Sequence, residues 1–185
     1  MELLNKNRLI ERVDVVDSTN SYLKNLVYDK RPEEGSMVIA KFQNAGRGQM
    51  GNGWSSEVGK NLLLSLVIYP DGLLANEQFI ISRMASLAVK NCLDQFVDDI
   101  RIKWPNDIFW KDKKIAGMLI ENDLQGKYIQ HSIIGIGINI NQQGFSEDLP
   151  NPVSLRQITG TDNDIDNIAD IFVREFFLLY REFQD

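Results

Sequence analysis

The sequence predicts a mixed, largely antiparallel β-sheet with helices packed on it, an α/β (α+β) class, on three observations. Strand-like segments come in runs: residues 103–141 hold three of them and no helix. A doubly wound parallel sheet would need a crossover helix between each pair. Two long segments, 74–97 and 165–184, carry apolar residues at steps of three and four, as helices covering a sheet must. The 185 residues suit one domain with a substantial core.

The elements follow in order. RLIERVDVV (8–16) alternates loosely and reads as an edge strand. Asp17 and Ser18 are good helix N-caps, and Tyr22, Leu23, Leu26 and Val27 then mark a short helix. RPEEG (31–35) is a turn and SMVIAKFQ (36–43) a strand. AGRGQMGNG (45–53) is a polar, glycine-rich loop, and KNLLLSLVIYP (60–70) a buried strand stopped by Pro70. The longest helix spans 74–97, with Ile81, Met84, Ala88, Cys92 and Phe96 on one face. IRIKW (100–104) and KIAGMLIEN (114–122) are strands joined by PNDIFWKDK. YIQHSIIGIGININ (128–141) is a further strand. PVSLRQITG (152–160) is a short helix ended by Gly160, and 165–184 is a closing amphipathic helix.

Composition excludes several classes. With 43% hydrophobic and 25% charged residues the chain is neither disordered nor fibrous. A net charge of −6 makes it a poor nucleic-acid binder, because phosphate binding needs a basic face. The single cysteine, Cys92, cannot form an internal disulfide, which fits a reducing compartment. The start is charged too early for a signal peptide, and no apolar run approaches the roughly 18 residues of a membrane span. These observations read as a soluble cytoplasmic protein without a membrane partner.

Four stretches carry chemistry. GRGQMG (46–51) satisfies the glycine fingerprint of dinucleotide-binding folds, but a strand-like segment follows it where that motif needs a helix. No Gly-Lys-Ser/Thr closes it as a P-loop. What remains is a loop whose glycines let the backbone wrap a ligand, with Arg47 as a cation for carboxylate or phosphate. A plain surface turn is the competing reading. RIKWPNDIFWKDKKIAGMLIE (101–121) places Asn106 and Asp107 in a turn, with Lys103, Lys113 and Lys114 nearby. Lys114 opens a strand whose Ala116 and Gly117 leave space for a ligand beneath it. In IIGIGININ (133–141), alternation puts Ile134, Ile136, Ile138 and Ile140 on one face and Gly135, Gly137 and Asn139 on the other. A flat ligand could lie on those glycines. DSTN (17–20) is a helix N-terminus with hydroxyls and an amide, where ordinary capping competes with anion binding. His131, the one histidine, reads as a surface or hydrogen-bonded side chain and not a general base, and Cys92 as core. No His/Cys cluster suggests zinc, so the metal-ligand set is empty and any Mg²⁺ would arrive with a nucleotide.

In this order, DSTN, QNAGRGQMGNGW, KWPNDIFWKDKKIAGMLIE and GIGININ resemble the catalytic domain of biotin–protein ligases. The resemblance runs from residue 17 to 141, and PVSLRQITG looks like the family's next helix. It implies a fold related to class II aminoacyl-tRNA synthetases. It also implies an enzyme that joins biotin to ATP as biotinyl-5′-AMP, with Mg²⁺, and passes biotin to a lysine of a biotin carboxyl carrier protein. Residues 1–185 would be a single catalytic domain, without an N-terminal DNA-binding domain or a C-terminal SH3-like domain. A homodimer through the sheet edge is a further implication.

Carried over by motif, Ser18, Thr19, Asn20, Gln43, Gly46, Arg47, Gly48, Gln49, Lys114 and Gly117 would bind biotin. Arg47, Trp54, Lys103, Asn106, Asp107, Lys114 and Asn139 would bind ATP, with Lys114 and Arg47 catalytic. Many members have a second arginine where Gln49 stands here, which implies weaker retention of the adenylate. The glycine-rich loop, poor in apolar anchors, is expected to be mobile without ligand. Two alternatives are a lipoate–protein ligase of the same fold and a non-catalytic biotin-binding module. Against a pure binder stands Lys114, since binding alone needs no cation at the α-phosphate.

Overall fold

The computed structural model describes residues 7–184; Met1–Lys6 and Asp185, part of the predicted 1–185 domain, lie outside the described residues. Seven strands form one sheet: β1 (Ile10–Val16), β2 (Met37–Gln43), β3 (Leu62–Ile68), β4 (Ile100–Lys103), β5 (Asp107–Trp110), β6 (Lys113–Gln125) and β7 (Tyr128–Ile138). Their spatial order is β1-β2-β3-β7-β6-β5-β4, with β1 parallel to β2 and every other pair antiparallel. The mixed, largely antiparallel class is therefore observed, and β1 lies at an edge.

Among the described residues four α-helices accompany the sheet: α1 (Thr19–Lys30), α2 (Phe79–Leu93), α3 (Leu155–Thr159) and α4 (Ile165–Gln184). Gly160 ends α3 with φ 80°, a conformation that glycine takes without a Cβ penalty. Two expectations change. The predicted helix 74–97 begins instead at Phe79, after a short 3₁₀ turn at Ala75–Glu77. There the Leu74 amide donates to the Glu77 carboxylate, and the Ala75 amide is spent on the Lys127 carbonyl. The helix also stops at Leu93, so Phe96 packs on the core from a turn. The segment read as a connector, PNDIFWKDK, contains a strand of its own, β5, paired with both β4 and β6.

The main core lies between the sheet and α2 and α4. Leu62, Leu64, Leu66, Ile134, Ile136 and Ile138 face Ile81, Ala88, Cys92, Phe172 and Phe176 there. Burial pushes the Cys92 thiol up to about 12, so this cysteine is inert packing. On the opposite face α1 covers only a small cluster of Leu23, Val27, Val38, Val67 and Ile133. Among the described residues no helix covers the rest of that face. Among the described residues no helix is long and apolar enough to cross a membrane.

Candidate active site

The uncovered part of the sheet is a cleft of about 180 Å³, framed by the N-terminus of α1, the glycine-rich loop after β2 and the β4–β5 turn. Its floor is made by β6 and β7. Gly137 pairs with Gly117 across these strands, and Gly135 pairs with Leu119 on one side and Ser65 of β3 on the other. The missing side chains are what make the space. A Cβ on Gly137 would stand 2.4 Å from the Trp54 ring, and one on Gly135 only 2.2 Å from Asn20 Oδ1. The Trp54 indole therefore lies on Gly137 and Gly117, in part of the place where the sequence puts a flat ligand, while Asn20 covers Gly135. The indole Nε1 is buried with no hydrogen-bond partner among the described residues.

The α1 end supplies buried polar groups. Ser18, Thr19 and Asn20 are each at most 5% exposed, yet all three line the cleft. Ser18 occupies the N-cap with extended backbone, but its side chain makes no capping bond. Gln43 Oε1 accepts from the Thr19 amide at 2.7 Å and from its hydroxyl at 3.1 Å. Ser65, in the middle of an otherwise apolar strand, donates toward Thr19 Oγ1 (2.7 Å) or Asn20 Oδ1 (2.6 Å). Asn20 Nδ2 donates to the Leu119 carbonyl at 3.1 Å and to Glu121 Oε2 at 2.8 Å. A continuous polar chain thus runs from Gln43 to Glu121 under the cleft, and few of its donors and acceptors are left unpaired.

Two cations line the walls. Lys114 Nζ lies 2.7 Å from Asp107 Oδ1 and 5.8 Å from the Trp54 ring centroid. Its backbone is held by the Asn151 carbonyl and the Val153 amide, so the lysine projects from a fixed strand. Arg47 reaches Glu121 with both prongs, Nη1–Oε1 at 3.1 Å and Nη2–Oε2 at 2.7 Å. The loop carrying Arg47 folds back as a small hairpin, with Gly48 N bonded to Asn52 O (2.7 Å) and Trp54 N to Gly46 O (2.8 Å). Two cations, neutral hydroxyls and amides, and a bare sheet surface in one concavity suit an anionic ligand with a flat, uncharged part.

Comparison with known proteins agrees with this geometry. The model of the biotin/lipoate A/B protein ligase family matches residues 13–139. The chain belongs to that family. It is 34% identical over 176 residues to a bifunctional ligase/repressor BirA of Bacillus spizizenii, covering 92% of this chain and 53% of the relative. It is 33% identical over 147 residues to a biotin–[acetyl-CoA-carboxylase] ligase of Paracoccus denitrificans, covering 75% of this chain and 60% of that protein. Among solved structures, the biotin protein ligase of Aquifex aeolicus in complex with biotin and ATP superposes with a TM-score of 0.80 at 27% identity, over 95% of this chain and 71% of that one. The chain spans about half the length of the first of these relatives.

Within this family member the structure brings most of the predicted site residues into one cleft. Ser18, Thr19, Asn20, Gln43, Arg47, Gly48, Gln49, Trp54, Asn106, Asp107, Lys114 and Gly117 all line it. Asn106 does so from a turn that it pins to β6, through Nδ2 to the Met118 carbonyl at 3.1 Å. Gly46 lies behind the wall, where a Cβ would stand 2.4 Å from the Trp54 carbonyl oxygen. Two residues lie elsewhere. Lys103 does not line the cleft; its Nζ sits 4.7 Å from the Phe109 ring centroid. Alternation puts Asn139 with Gly135 and Gly137, but β7 ends at Ile138. There the Asn139 amide donates to the Ile115 carbonyl, and its Nδ2 donates to the Val153 carbonyl at 3.2 Å. It ties the segment before α3 to the sheet and is not among the residues that line the cleft.

Sequence reasoning missed Ser65, Glu121 and Asn52. Glu121 lies four residues beyond Gly117 on the same strand, so period two places it on the cleft face. Ser65 carried a signal as well, being a polar residue in the all-buried run of β3.

Proposed function

We propose that this chain activates biotin with ATP to biotinyl-5′-AMP, releases pyrophosphate, and passes biotin to a lysine of a biotin carboxyl carrier protein. The observation that carries the reading is the convergence of Arg47 and Lys114 on one cleft whose floor is the Gly117–Gly137 pair. A biotin carboxylate oxygen would attack the α-phosphorus, forming the C(O)–O–P bond as the bond to the β-phosphate oxygen breaks. Both reactants are anionic, so the step needs fixed positive charge where they meet. Lys114 and Arg47 supply it without reorganisation at the moment of reaction. In the second step the amine of the carrier lysine attacks the acyl carbon, AMP leaves, and the nitrogen gives up a proton.

The remaining residues bind and orient. The hydroxyls and amides of Ser18, Thr19 and Gln43 fit a polar, uncharged ureido ring, and Gly117 leaves room for an apolar chain. Trp54 occupies much of the glycine floor, and about 180 Å³ is below the roughly 300–1,000 Å³ usual for small-molecule sites. Seating both substrates therefore requires the indole to move aside. Among the described residues no group of three or more His, Cys, Asp or Glu could hold a metal. That donor set fits Mg²⁺ carried by the triphosphate and water, with Asp107 as the carboxylate within the cleft. Such an ion would neutralise phosphate charge.

Pyrophosphate release measured with biotin, lipoate or neither tests the reading. Release with biotin and not with lipoate is expected. Release with lipoate would favour the other branch of the family, and tight biotin binding without release would leave a binding module.

A further inference from the structure

We infer that Glu121 is a positioning residue, whose carboxylate holds the Arg47 guanidinium, and with it the glycine-rich loop, over the cleft. The inference rests on the biotin- and ATP-binding role proposed for that cleft. The base of the loop is held, by the Ala45 amide on the Asp17 carbonyl and by the Trp54 ring on Gly117 and Gly137, but the stretch between them has little else to dock it. Met50, at its tip, is 98% exposed, and none of Gln49–Gly51 is buried. Its internal hydrogen bonds shape a hairpin but do not aim it. Apart from the Arg47–Gly53 backbone bridge, what orients Arg47 is its two-pronged pairing with Glu121.

Glu121 is fixed from the opposite side. It stands on β6, a strand paired along its length with β7. Asn20 Nδ2 donates to the same Oε2 that receives Arg47 Nη2. The carboxylate therefore joins the loop to the polar chain under the cleft. Guanidinium has five N–H donors; two go to Glu121, and three stay available to a ligand carboxylate or phosphate. The pair can persist while ligand binds. Glu121 does not itself line the cleft, so it acts through Arg47.

Glu121→Gln keeps the size of the side chain and its capacity to accept from Asn20, but gives up the charge and the second acceptor. In the purified chain this variant is expected to release biotinyl-5′-AMP on the order of tenfold faster and to raise KM for biotin by a similar factor, the scale of one lost charge-assisted bond. In an Arg47→Ala background the same substitution is expected to change neither quantity, an outcome that a merely structural role would not produce. The inference is overturned if wild type forms the adenylate and Glu121→Gln releases it at the same rate, or if the effect persists without Arg47. Should wild type form no adenylate, the proposed function fails first, and the clasp is tested on the unliganded chain. Hydrogen exchange at the amides of Gly48, Asn52 and Trp54 is then expected to accelerate in Glu121→Gln, and unchanged protection would sink the inference.

Discussion

The two faces of the sheet are built from the same strands and differ in almost everything else. On the face under α2 and α4, β3 and β7 present Leu62, Leu64, Leu66, Ile134, Ile136 and Ile138 to a continuous apolar layer. On the other face the same strands present Ser65, Gly135 and Gly137, and α1 covers only the end near Val67 and Ile133. One face is filled for stability, and the other is left bare for chemistry. Period-two alternation lets a single strand serve both purposes, because each face can vary without disturbing its opposite.

That contrast predicts how substitutions should divide. The largest effect on stability is expected from the filled face. Phe176→Ala removes a fully buried ring from the packing between α4 and the sheet and should cost about 3–5 kcal/mol, read by denaturant unfolding. A loss below about 1 kcal/mol would mean that the two faces are less different than they look. Lys114→Ala, on the bare face, should leave the unfolding midpoint nearly unchanged. It should slow pyrophosphate release by about 10²–10³-fold, the scale of removing one fixed charge-stabilising group. Gly137→Ala puts a methyl where the Trp54 ring lies and should weaken biotin binding by about tenfold in a titration, with a smaller effect on stability because the ring can shift.

The smallest effect concerns pH. His131 is 3% exposed, and burial holds its pKa below the usual value despite Asp123 at 3.5 Å. The unfolded chain then binds a proton as pH falls through about 6.5 while the folded chain does not, so acidification favours unfolding. Asp123 acts in the same direction at lower pH. The hydrogen bond from Tyr28 is the main cause holding its carboxyl below the usual range, and the stability it contributes is lost as pH falls through that lowered value. Replacing His131 by Gln should flatten the dependence of stability on pH between about 7 and 5, by at most about 1.4 kcal/mol per pH unit.

Much of this contrast was legible in the residues. The isoleucine and glycine alternation of 133–138 marks both faces directly, and the amphipathic periods of 79–93 and 165–184 mark the helices that fill one of them. What escaped depended on partners distant in sequence. β5 is four residues long, too short for a periodic signal, and exists because β4 and β6 flank it. The parallel pairing of β1 with β2 leaves no local mark. Asn139 lies one residue past the end of β7, where alternation no longer fixes its face. The Arg47–Glu121 pair spans 74 positions, and nothing near either residue announces the other.

The indole on the glycine floor makes the protein its own reporter. Trp54 Nε1 is shielded from water and unpartnered, whereas Trp104 is 73% exposed and Trp110 lies at the rim of the core. Any molecule that takes the place of the Trp54 ring must change the polarity around that chromophore, and Trp104, beside the cleft-lining Pro105, can be removed by Trp104→Phe to isolate the signal. Occupancy should therefore be readable from intrinsic emission, without a label.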